Sequence, residues 1–141
     1  MKPAIVGEAP SMRTSRPFAG RSGERLAELS GLASLEALRD RFRLVNLLGH
    51  WPGPDASGKG SAFPMQEARS AAATLRLPSG SLLCGRRVAA AFGLAAAPYF
   101  AWCDVDGRRV AVIPHPSGVS RWWNDPENVA RARAFLRAAT A

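Results

Sequence analysis

Short apolar runs that end in turns rich in proline, glycine and serine recur along the chain. Runs of this length and composition are typical of buried β-strands. The first covers residues 3–6, the second residues 43–48 and the third residues 81–85. A fourth apolar stretch, residues 99–112, is interrupted at Asp106-Gly107, a dipeptide that favours a hairpin turn. The pattern therefore predicts three separate strands and one hairpin.

Helical spacing of apolar residues separates the predicted strands. In residues 22–32 the leucines recur at every third position and so share one face of a helix. Two further helices are expected to begin at Ser34 and at Asp125-Pro126-Glu127, since serine and aspartate commonly cap helices and proline favours the first helical position. The remaining helices are predicted over the alanine-rich residues 66–75 and directly after the strand at residues 81–85.

Strands that alternate with helices predict a parallel-rich sheet with helices on both faces. The expected fold class is therefore α/β, a single three-layer domain over residues 1–141 with a mainly parallel central sheet. A chain of 141 residues can bury one core of ordinary size. It has no apolar run long enough to cross a bilayer and no secretory pattern at its N-terminus, so we expect a cytoplasmic protein without a membrane partner.

Basic residues outnumber acidic ones by 19 to 11, which gives a formal net charge of +8. Seventeen of the 19 are arginine, whose planar guanidinium group forks onto phosphate oxygens. Such a balance predicts binding to a polyanion such as single- or double-stranded DNA, with strong salt dependence. A GC-rich genome would also favour arginine codons, so charge alone leaves the DNA partner open. No obligate protein partner is evident.

Cys84 and Cys103 are the two cysteines of the chain, and both lie in apolar segments typical of buried thiols. Two thiols cannot supply the four thiolates of an iron–sulfur cluster. A mixed zinc site would also need His50 and His115, and the sequence contains no closely spaced pair of ligands. We therefore expect neither a metal nor another cofactor.

One ionisable side chain follows each of two apolar runs near opposite ends of the chain. Glu8 follows the predicted strand at residues 3–6, and His115 follows an apolar run at residues 109–113. In an α/β sheet, residues just beyond the carboxyl ends of strands line the ligand crevice. A carboxylate and an imidazole on loops held by a rigid sheet therefore indicate a reaction site.

Two conspicuous segments, Gly7-Glu8-Ala9-Pro10 with residues 16–23 and His115-Pro116-Ser117, stand near opposite ends of the chain. They resemble the first and second motifs of the family-4-type uracil-DNA glycosylases of bacteria and archaea. Between them, Val45-Asn46-Leu47-Leu48 and residues 82–93 are similar to the two middle motifs of the family. The resemblance spans nearly the whole chain, and four motifs in order are more specific than any one of them.

The resemblance implies catalytic roles for Glu8 and His115. Glu8 matches the carboxylate that positions or polarises the attacking water, and His115 matches the histidine that stabilises the departing base. Cleavage of an N-glycosidic bond leaves positive charge on the sugar and negative charge on the base, and these two groups suit those charges. Without this context, a histidine such as His115 is more often hydrogen-bonded to backbone in a structural role.

Other matched positions would hold the flipped base and the DNA backbone. The resemblance implies that Phe18 stacks on the base, that Asn46 reads its Watson–Crick edge and that Ser117 contacts a phosphate. In addition, the backbone N–H groups of the Glu8-Ala9 turn are candidates for the polar part of the base pocket.

Arg121 and Trp122 follow the second motif. Arg121 is a candidate phosphate contact, and Trp122 is a candidate wedge or stacking residue at the DNA surface. The alternative for Trp122 and Trp123, which is the usual role of adjacent tryptophans, is to anchor the last helix.

Structural roles also stay open for the other candidates. Glu8 is alternatively the partner of an arginine such as Arg13 or Arg16. Phe18 alternatively fills the core below its loop. The Asn46 amide either pairs with loop backbone or faces a ligand, because a buried amide needs partners.

The chain departs from the family at several positions. It lacks the N-terminal cysteine pair, and His50 stands where a cluster-binding cysteine is expected, so the iron–sulfur cluster of the family is expected to be absent. Ser11 replaces a glycine of the first motif. Gly118 and residues 119–124 replace the usual continuation of the second motif, which ordinarily supplies the wedge that holds the duplex open.

The expected function is that of a DNA glycosylase that removes uracil, or a related modified or damaged base, flipped out of DNA. One alternative is a non-catalytic DNA- or base-binding protein, since a fold does not fix a function. Another alternative keeps the enzyme but changes its substrate, for example to a hypermodified or deaminated purine.

Overall fold

A computed structural model of the protein describes residues 1–11, 16–117 and 121–141. Within these residues, five strands form one sheet. In chain order they are β1 (Ala4–Gly7), β2 (Arg43–Asn46), β3 (Ser81–Cys84), β4 (Trp102–Val105) and β5 (Arg108–Ile113).

The order of the strands in this sheet is β2-β1-β3-β5-β4. β1 pairs in parallel with β2 and β3, and β3 pairs in parallel with β5. β4 runs antiparallel to β5 at the edge of the sheet. Parallel neighbours need crossover connections, which the intervening helices supply. The predicted α/β class with a mainly parallel sheet is confirmed.

Helices cover both faces of the sheet because successive strand residues point to opposite sides. Ile5 lies in one core cluster, whereas Ala4 and Val6 lie in the other. The helices are α1 (Arg21–Leu29), α2 (Leu35–Arg41), α3 (Met65–Thr74), α4 (Arg86–Ala91) and α5 (Pro126–Thr140).

Two apolar clusters fill the space between the sheet and its helices. Buried residues of α1, α2 and α5 share the cluster of Ile5, and buried residues of α3 and α4 share the cluster of Val6. These contacts establish the predicted three-layer arrangement. Among the described residues, no helix combines the length and the apolar character needed to cross a membrane.

The predicted helix starts and the predicted hairpin turn are confirmed. The hydroxyl oxygen of Ser34 accepts the N–H of Ala37 at 3.1 Å, and the carboxylate of Asp125 accepts the N–H of Glu127 at 2.9 Å. The turn between β4 and β5 has positive φ at both central residues, 51° at Asp106 and 79° at Gly107. Two such residues make the type I′ turn that suits a twisted hairpin. Local side-chain chemistry therefore fixes these boundaries.

The first helix ends earlier than predicted, at Leu29 rather than at residue 32. Gly31 adopts a φ of 74°, and the N–H of Leu32 reaches back to the carbonyl oxygen of Ala27 at 2.9 Å. This is the left-handed glycine ending that closes many helices. Leu32 still packs on the core, which explains why the leucine spacing continues past the end of the helix.

The second strand is also shorter than predicted and ends at Asn46 rather than at residue 48. The N–H groups of Leu47 and Leu48 still donate to the carbonyl oxygens of Gly7 and Glu8, both at 2.8 Å. The paired register of β1 and β2 ends at Gly7 and Asn46, and these two hydrogen bonds continue beyond it. Asn46 therefore stands at the carboxyl end of the strand and not in its middle.

Candidate active site

The carboxyl ends of β1, β2, β3 and β5 meet at one edge of the sheet because these strands are parallel. Glu8 follows β1, Asn46 ends β2, Gly85 follows β3 and His115 lies two residues beyond β5. All but Gly85 line a single cleft of about 920 Å³. The fold therefore brings the acid and the imidazole from opposite ends of the chain to one cleft.

Most of the predicted site residues line this cleft, and two do not. Arg121 and Trp122 are not among the described residues that line it. The six predicted residues that line the cleft are Glu8, Ala9, Phe18, Asn46, His115 and Ser117.

Trp122 lies in an aromatic cluster beside α5. Its ring centroid is 5.5 Å from that of Phe100 and 4.8 Å from that of Trp123, and its carbonyl oxygen accepts a hydrogen bond from Asn128 at 3.0 Å. These contacts suit an anchor for the last helix. Arg121 is exposed at the start of the 3₁₀ turn Arg121–Asn124. The DNA contacts predicted for both residues stay predictions.

The His115 imidazole is held in one protonation form. Its Nδ1 accepts the backbone N–H of Ser117 at 3.1 Å, which requires an unprotonated Nδ1 and leaves the proton of the neutral ring on Nε2. Burial lowers the pKa of His115; the charge of Glu8 opposes this shift and that of Arg87 adds to it. At neutral pH the residue is therefore a neutral imidazole with an N–H donor at Nε2.

Two neighbours fix the backbone around His115. Trp123 is buried and donates its indole N–H to the His115 carbonyl oxygen at 2.8 Å. Gly85 has a φ of 93°, and a Cβ added to it would lie 3.4 Å from the His115 Cβ. The N–H of Gly85 donates to the carbonyl oxygen of Ile113 at 2.8 Å. The histidine turn is thus packed against β3 on one side and tied to the 3₁₀ turn on another.

Phe18 lies directly on the end of β1 and has a positive φ of 58°. A Cβ on Gly7 would come within 2.8 Å of the Phe18 ring, and a Cβ on Gly23 within 2.0 Å of the Phe18 carbonyl oxygen. A side chain at either position would clash with Phe18, so both positions require glycine. The ring packs against the core and also lines the cleft, so the packing and base-stacking interpretations are compatible.

Glu8 forms a two-point ion pair with Arg87, a partner that the sequence analysis did not name. The Arg87 Nε and Nη2 groups donate to the two carboxylate oxygens at 3.0 and 2.6 Å. The third nitrogen, Nη1, donates to the carbonyl oxygen of Ser61 at 2.9 Å. Of the arginines proposed from sequence, Arg16 lines the same cleft, and Arg13 lies outside the described residues.

The Asn46 side chain lines the cleft. It makes no hydrogen bond to any part of the chain that the structure describes, and it is only partly buried. Pairing with loop backbone, one of the two sequence-based interpretations, is therefore not seen in that part. Within the described ranges, the amide therefore has no partner that would compete with a ligand.

A hairpin loop forms one wall of the cleft between β2 and α3. The N–H of Ala62 donates to Gly53 at 2.8 Å, and the N–H of Asp55 donates to Gly60 at 2.9 Å. The Asp55 carboxylate accepts the Ser57 N–H at 2.9 Å, and this network, led by the Ser57 side chain, lowers the pKa of Asp55. The 53–62 hairpin is therefore organised by its own hydrogen bonds.

Trp51 and the cationic residues set the surface chemistry of the cleft. Trp51 is 37 % exposed and lines the cleft, so a large aromatic surface is open to a ligand. Among the described residues lining the cleft, one acid, Glu8, faces four basic residues: Arg16, Arg21, Lys59 and Arg87. An excess of positive charge around an open cleft favours an anionic partner.

A second, smaller cavity of about 400 Å³ lies near the opposite ends of β1 and β2, where Lys2, Phe42 and Arg43 line it. It contains none of the residues predicted to act in catalysis. It shares Arg16 with the cleft, but the convergence of Glu8, Asn46 and His115 identifies the larger cleft as the candidate site.

The cysteines do not fit an iron–sulfur cluster. Cys84 is buried within β3, where burial raises the pKa of its thiol, and Cys103 lies on β4, beyond the intervening strand β5. Two separated thiols cannot replace four converging thiolates. Within the described ranges, no group of three or more histidine, cysteine or acidic side chains is placed to hold a metal ion.

Three features of the site were not found by sequence reasoning: the Arg87 ion pair, the open Trp51 surface and the Trp123 hydrogen bond. Arg87 stands three residues after β3, the kind of strand-end position that marked Glu8 and His115, so the same rule would have identified it. Trp51 belonged to a loop with no assigned role. Trp123 acts through an indole N–H directed at backbone, for which the sequence carries no signal.

Comparison with known proteins identifies the family of the chain. The family model of the uracil DNA glycosylase superfamily matches residues 2–139. The chain belongs to this superfamily. No curated protein matches the chain.

Proposed function

We propose that this protein is a DNA glycosylase that hydrolyses the N-glycosidic bond of uracil, or of a related modified or damaged base, flipped out of DNA. Membership of the superfamily makes a DNA glycosylase the reference activity. The observation that carries the proposal is the convergence of Glu8 and His115 on one cleft. Within the superfamily, the four sequence motifs support closeness to the family-4-type enzymes, and the cysteine content argues for a member without their cluster.

His115 stabilises the departing base in this proposal. When the bond from the sugar C1′ to the base nitrogen breaks, the electron pair leaves with the base and negative charge develops on its oxygens. The neutral His115, whose Nδ1 is occupied by the Ser117 N–H, carries its donor at Nε2. A donor pre-set against developing charge contributes on the order of 10²–10³-fold in rate.

Glu8 stabilises the sugar side of the reaction. The sugar becomes cationic as the base leaves, and a nearby carboxylate offsets that charge. Water then bonds to C1′ through its oxygen, and the proton it loses balances the charge of the departed base. A carboxylate fixed by Arg87 at 2.6 and 3.0 Å also orients this water, a role worth about 10²–10⁴-fold.

Asn46 and Phe18 supply recognition of the flipped base. The Asn46 amide offers both donor and acceptor atoms for the polar edge of a base. The Phe18 ring, set over Gly7, offers a flat apolar surface for stacking. Together they reward the extrusion of a base from its stack.

Cationic residues around the cleft support DNA as the partner. Arg16, Arg21 and Lys59 line it beside Arg87, and the whole chain carries a net charge of +8. Neutralised phosphates release counterions, so binding should weaken steeply with salt. For a DNA-repair role the site of action would be the nucleoid in the cytoplasm.

One observation favours the alternative of a non-catalytic DNA- or base-binding protein. The Glu8 carboxylate is shared with a guanidinium group on both oxygens, which offsets part of the charge that the reaction needs. This alternative predicts salt-dependent DNA binding without an abasic product.

The test is alkaline cleavage of oligonucleotides that carry uracil and a panel of modified or deaminated bases, single- and double-stranded. The proposal predicts an abasic site at uracil or a related base. Release confined to a purine base would support a DNA glycosylase with a different substrate. Binding without any abasic product would support the non-catalytic alternative.

A further inference from the structure

We propose that Arg87 is a positioning residue of this site: it fixes the orientation of the Glu8 carboxylate and ties that carboxylate to the 53–62 hairpin. The inference rests on the proposed function, because it assigns Arg87 a role in the same reaction. Arg87 acts here through Glu8 and not on the base itself.

The fork between Arg87 and Glu8 restricts the carboxylate in a way that a single contact would not. Nε and Nη2 lie in one plane and each binds a different oxygen, at 3.0 and 2.6 Å. Two parallel charge-assisted hydrogen bonds fix both the direction and the plane of the carboxylate. The Glu8 side chain is 18 % exposed, so it has little room for another orientation.

The same guanidinium group holds the hairpin wall. Nη1 donates to the Ser61 carbonyl oxygen at 2.9 Å, and the group lies 5.1 Å from the centre of the Phe63 ring. The hairpin closes on itself through Asp55 and Ala62, so a tether at Ser61 holds a preformed unit. Displacement of Arg87 would therefore release the carboxylate and the wall together.

Arg86 is a matched control at the adjacent position. Its guanidinium group lies 4.0 Å from the Tyr99 ring centre and donates to the carbonyl oxygens of Ala95 and Ala97. It does not line the cleft. Both arginines begin α4, so R86M and R87M remove the same charge from the same helix end with different neighbours.

A double-mutant cycle tests the positioning role. We expect R87M to slow single-turnover base release on the order of 10–100-fold, because displacement of a reacting group by about 1 Å has effects of this size. In the E8Q background the same substitution should change the rate less than about threefold, since the group that Arg87 positions is already altered. Equal slowing in both backgrounds would overturn the proposal.

R87K separates charge from geometry. Lysine keeps the positive charge but cannot form the planar fork. The rate of base release by R87K should therefore fall nearly as far as that by R87M. The pKa of His115, read from imidazole NMR in an H50Q background, should rise in R87M and stay close to that of the parent in R87K. Among the described residues, Glu8 and Arg87 are the charged groups that act on this imidazole. Full recovery of the rate in R87K would contradict positioning by the fork.

Hydrogen exchange on the DNA-free protein tests the tether without any activity. Exchange at the Asp55 and Ala62 amides should accelerate in R87M and not in R86M, with global unfolding measured alongside. If wild-type protein released no base, the proposed function would fail while this comparison still tested the tether. Unchanged exchange at these amides in R87M would refute the tether to the hairpin.

Discussion

The indole N–H of Trp123 donates a 2.8 Å hydrogen bond to the backbone carbonyl oxygen of His115. Trp123 belongs to the 3₁₀ turn before α5, and its ring lies 5.1 Å from the guanidinium carbon of Arg25 on α1. The position of the imidazole therefore depends on residues from three parts of the chain. This dependence makes Trp123 a structural support for the cleft.

Trp123→Phe keeps an aromatic ring and removes the donor. We expect the free energy of unfolding in urea to fall by about 2–3 kcal/mol, because a carbonyl oxygen loses its donor and the smaller ring leaves a gap. Base release should slow on the order of 10-fold, because the histidine loses its fixed position. Trp102→Phe is the control, since Trp102 packs on Phe135 away from His115. Equal slowing by both substitutions would contradict a specific role for Trp123.

Gly7→Ala places a methyl group 2.8 Å from the Phe18 ring. The ring must move, and overpacking of this kind costs about 1–3 kcal/mol of stability. Since Phe18 also lines the cleft, base release should decline more than stability alone explains, as measured by single-turnover kinetics below the melting temperature. Gly49→Ala, which meets no atom within 4 Å, should change neither quantity. Full activity of the Gly7→Ala protein would show that Phe18 does not bind the base.

The two histidines should give opposite pH dependences of stability. Burial keeps the pKa of His115 below its ordinary 6.5, so the unfolded chain binds the proton first as the pH falls. The contribution of His115 is present above pH 6.5 and is lost as the pH falls from there through the folded-state pKa. The Glu67 hydrogen bond raises the pKa of His50, so its contribution is present below pH 6.5 and is lost as the pH rises through the raised pKa.

Urea unfolding between pH 5 and 8 measures these contributions. In an H50Q background, stability should decrease as the pH is lowered below 6.5, and His115→Gln should reduce that decrease. An identical pH dependence with and without His115 would show that the imidazole is not held in its neutral form by the fold.

Lys59 lines the cleft at its hairpin wall, and its removal tests the DNA-binding surface. Lys59→Gln should weaken binding to an oligonucleotide and reduce the slope of log K against log salt by about one unit, the effect of one lost phosphate contact. Lys2→Gln removes the same charge from the second cavity and should leave the slope unchanged. Equal slopes in the wild type and Lys59→Gln would show that DNA does not contact Lys59 on this wall of the cleft.

Much of the fold follows from the sequence because its signals are local. Ser34 and Asp125 accept the capping hydrogen bonds expected of them, and Asp106-Gly107 makes the expected turn. The wrong boundaries have non-local or backbone causes. Helix α1 ends where Gly31 turns left-handed, and β2 ends beside the last residue of its neighbour β1.

The site was predictable in part for the same reason. Glu8 and His115 follow parallel strands, whose carboxyl ends must share one edge, so their convergence follows from topology. The Glu8–Arg87 pair joins positions far apart in the sequence, and the Trp123 hydrogen bond goes to a backbone atom. Contacts of these two kinds depend on how loops pack, which periodicity does not encode.

The central claim is that Glu8 and His115 act together on a base in one cleft. The most direct measurement is single-turnover release of uracil from a DNA oligonucleotide by the wild type, Glu8→Gln and His115→Ala, with melting temperature and DNA affinity measured on the same samples. The account predicts that each substitution slows release on the order of 10²-fold or more while folding and binding persist. Release at the wild-type rate by either variant would contradict it.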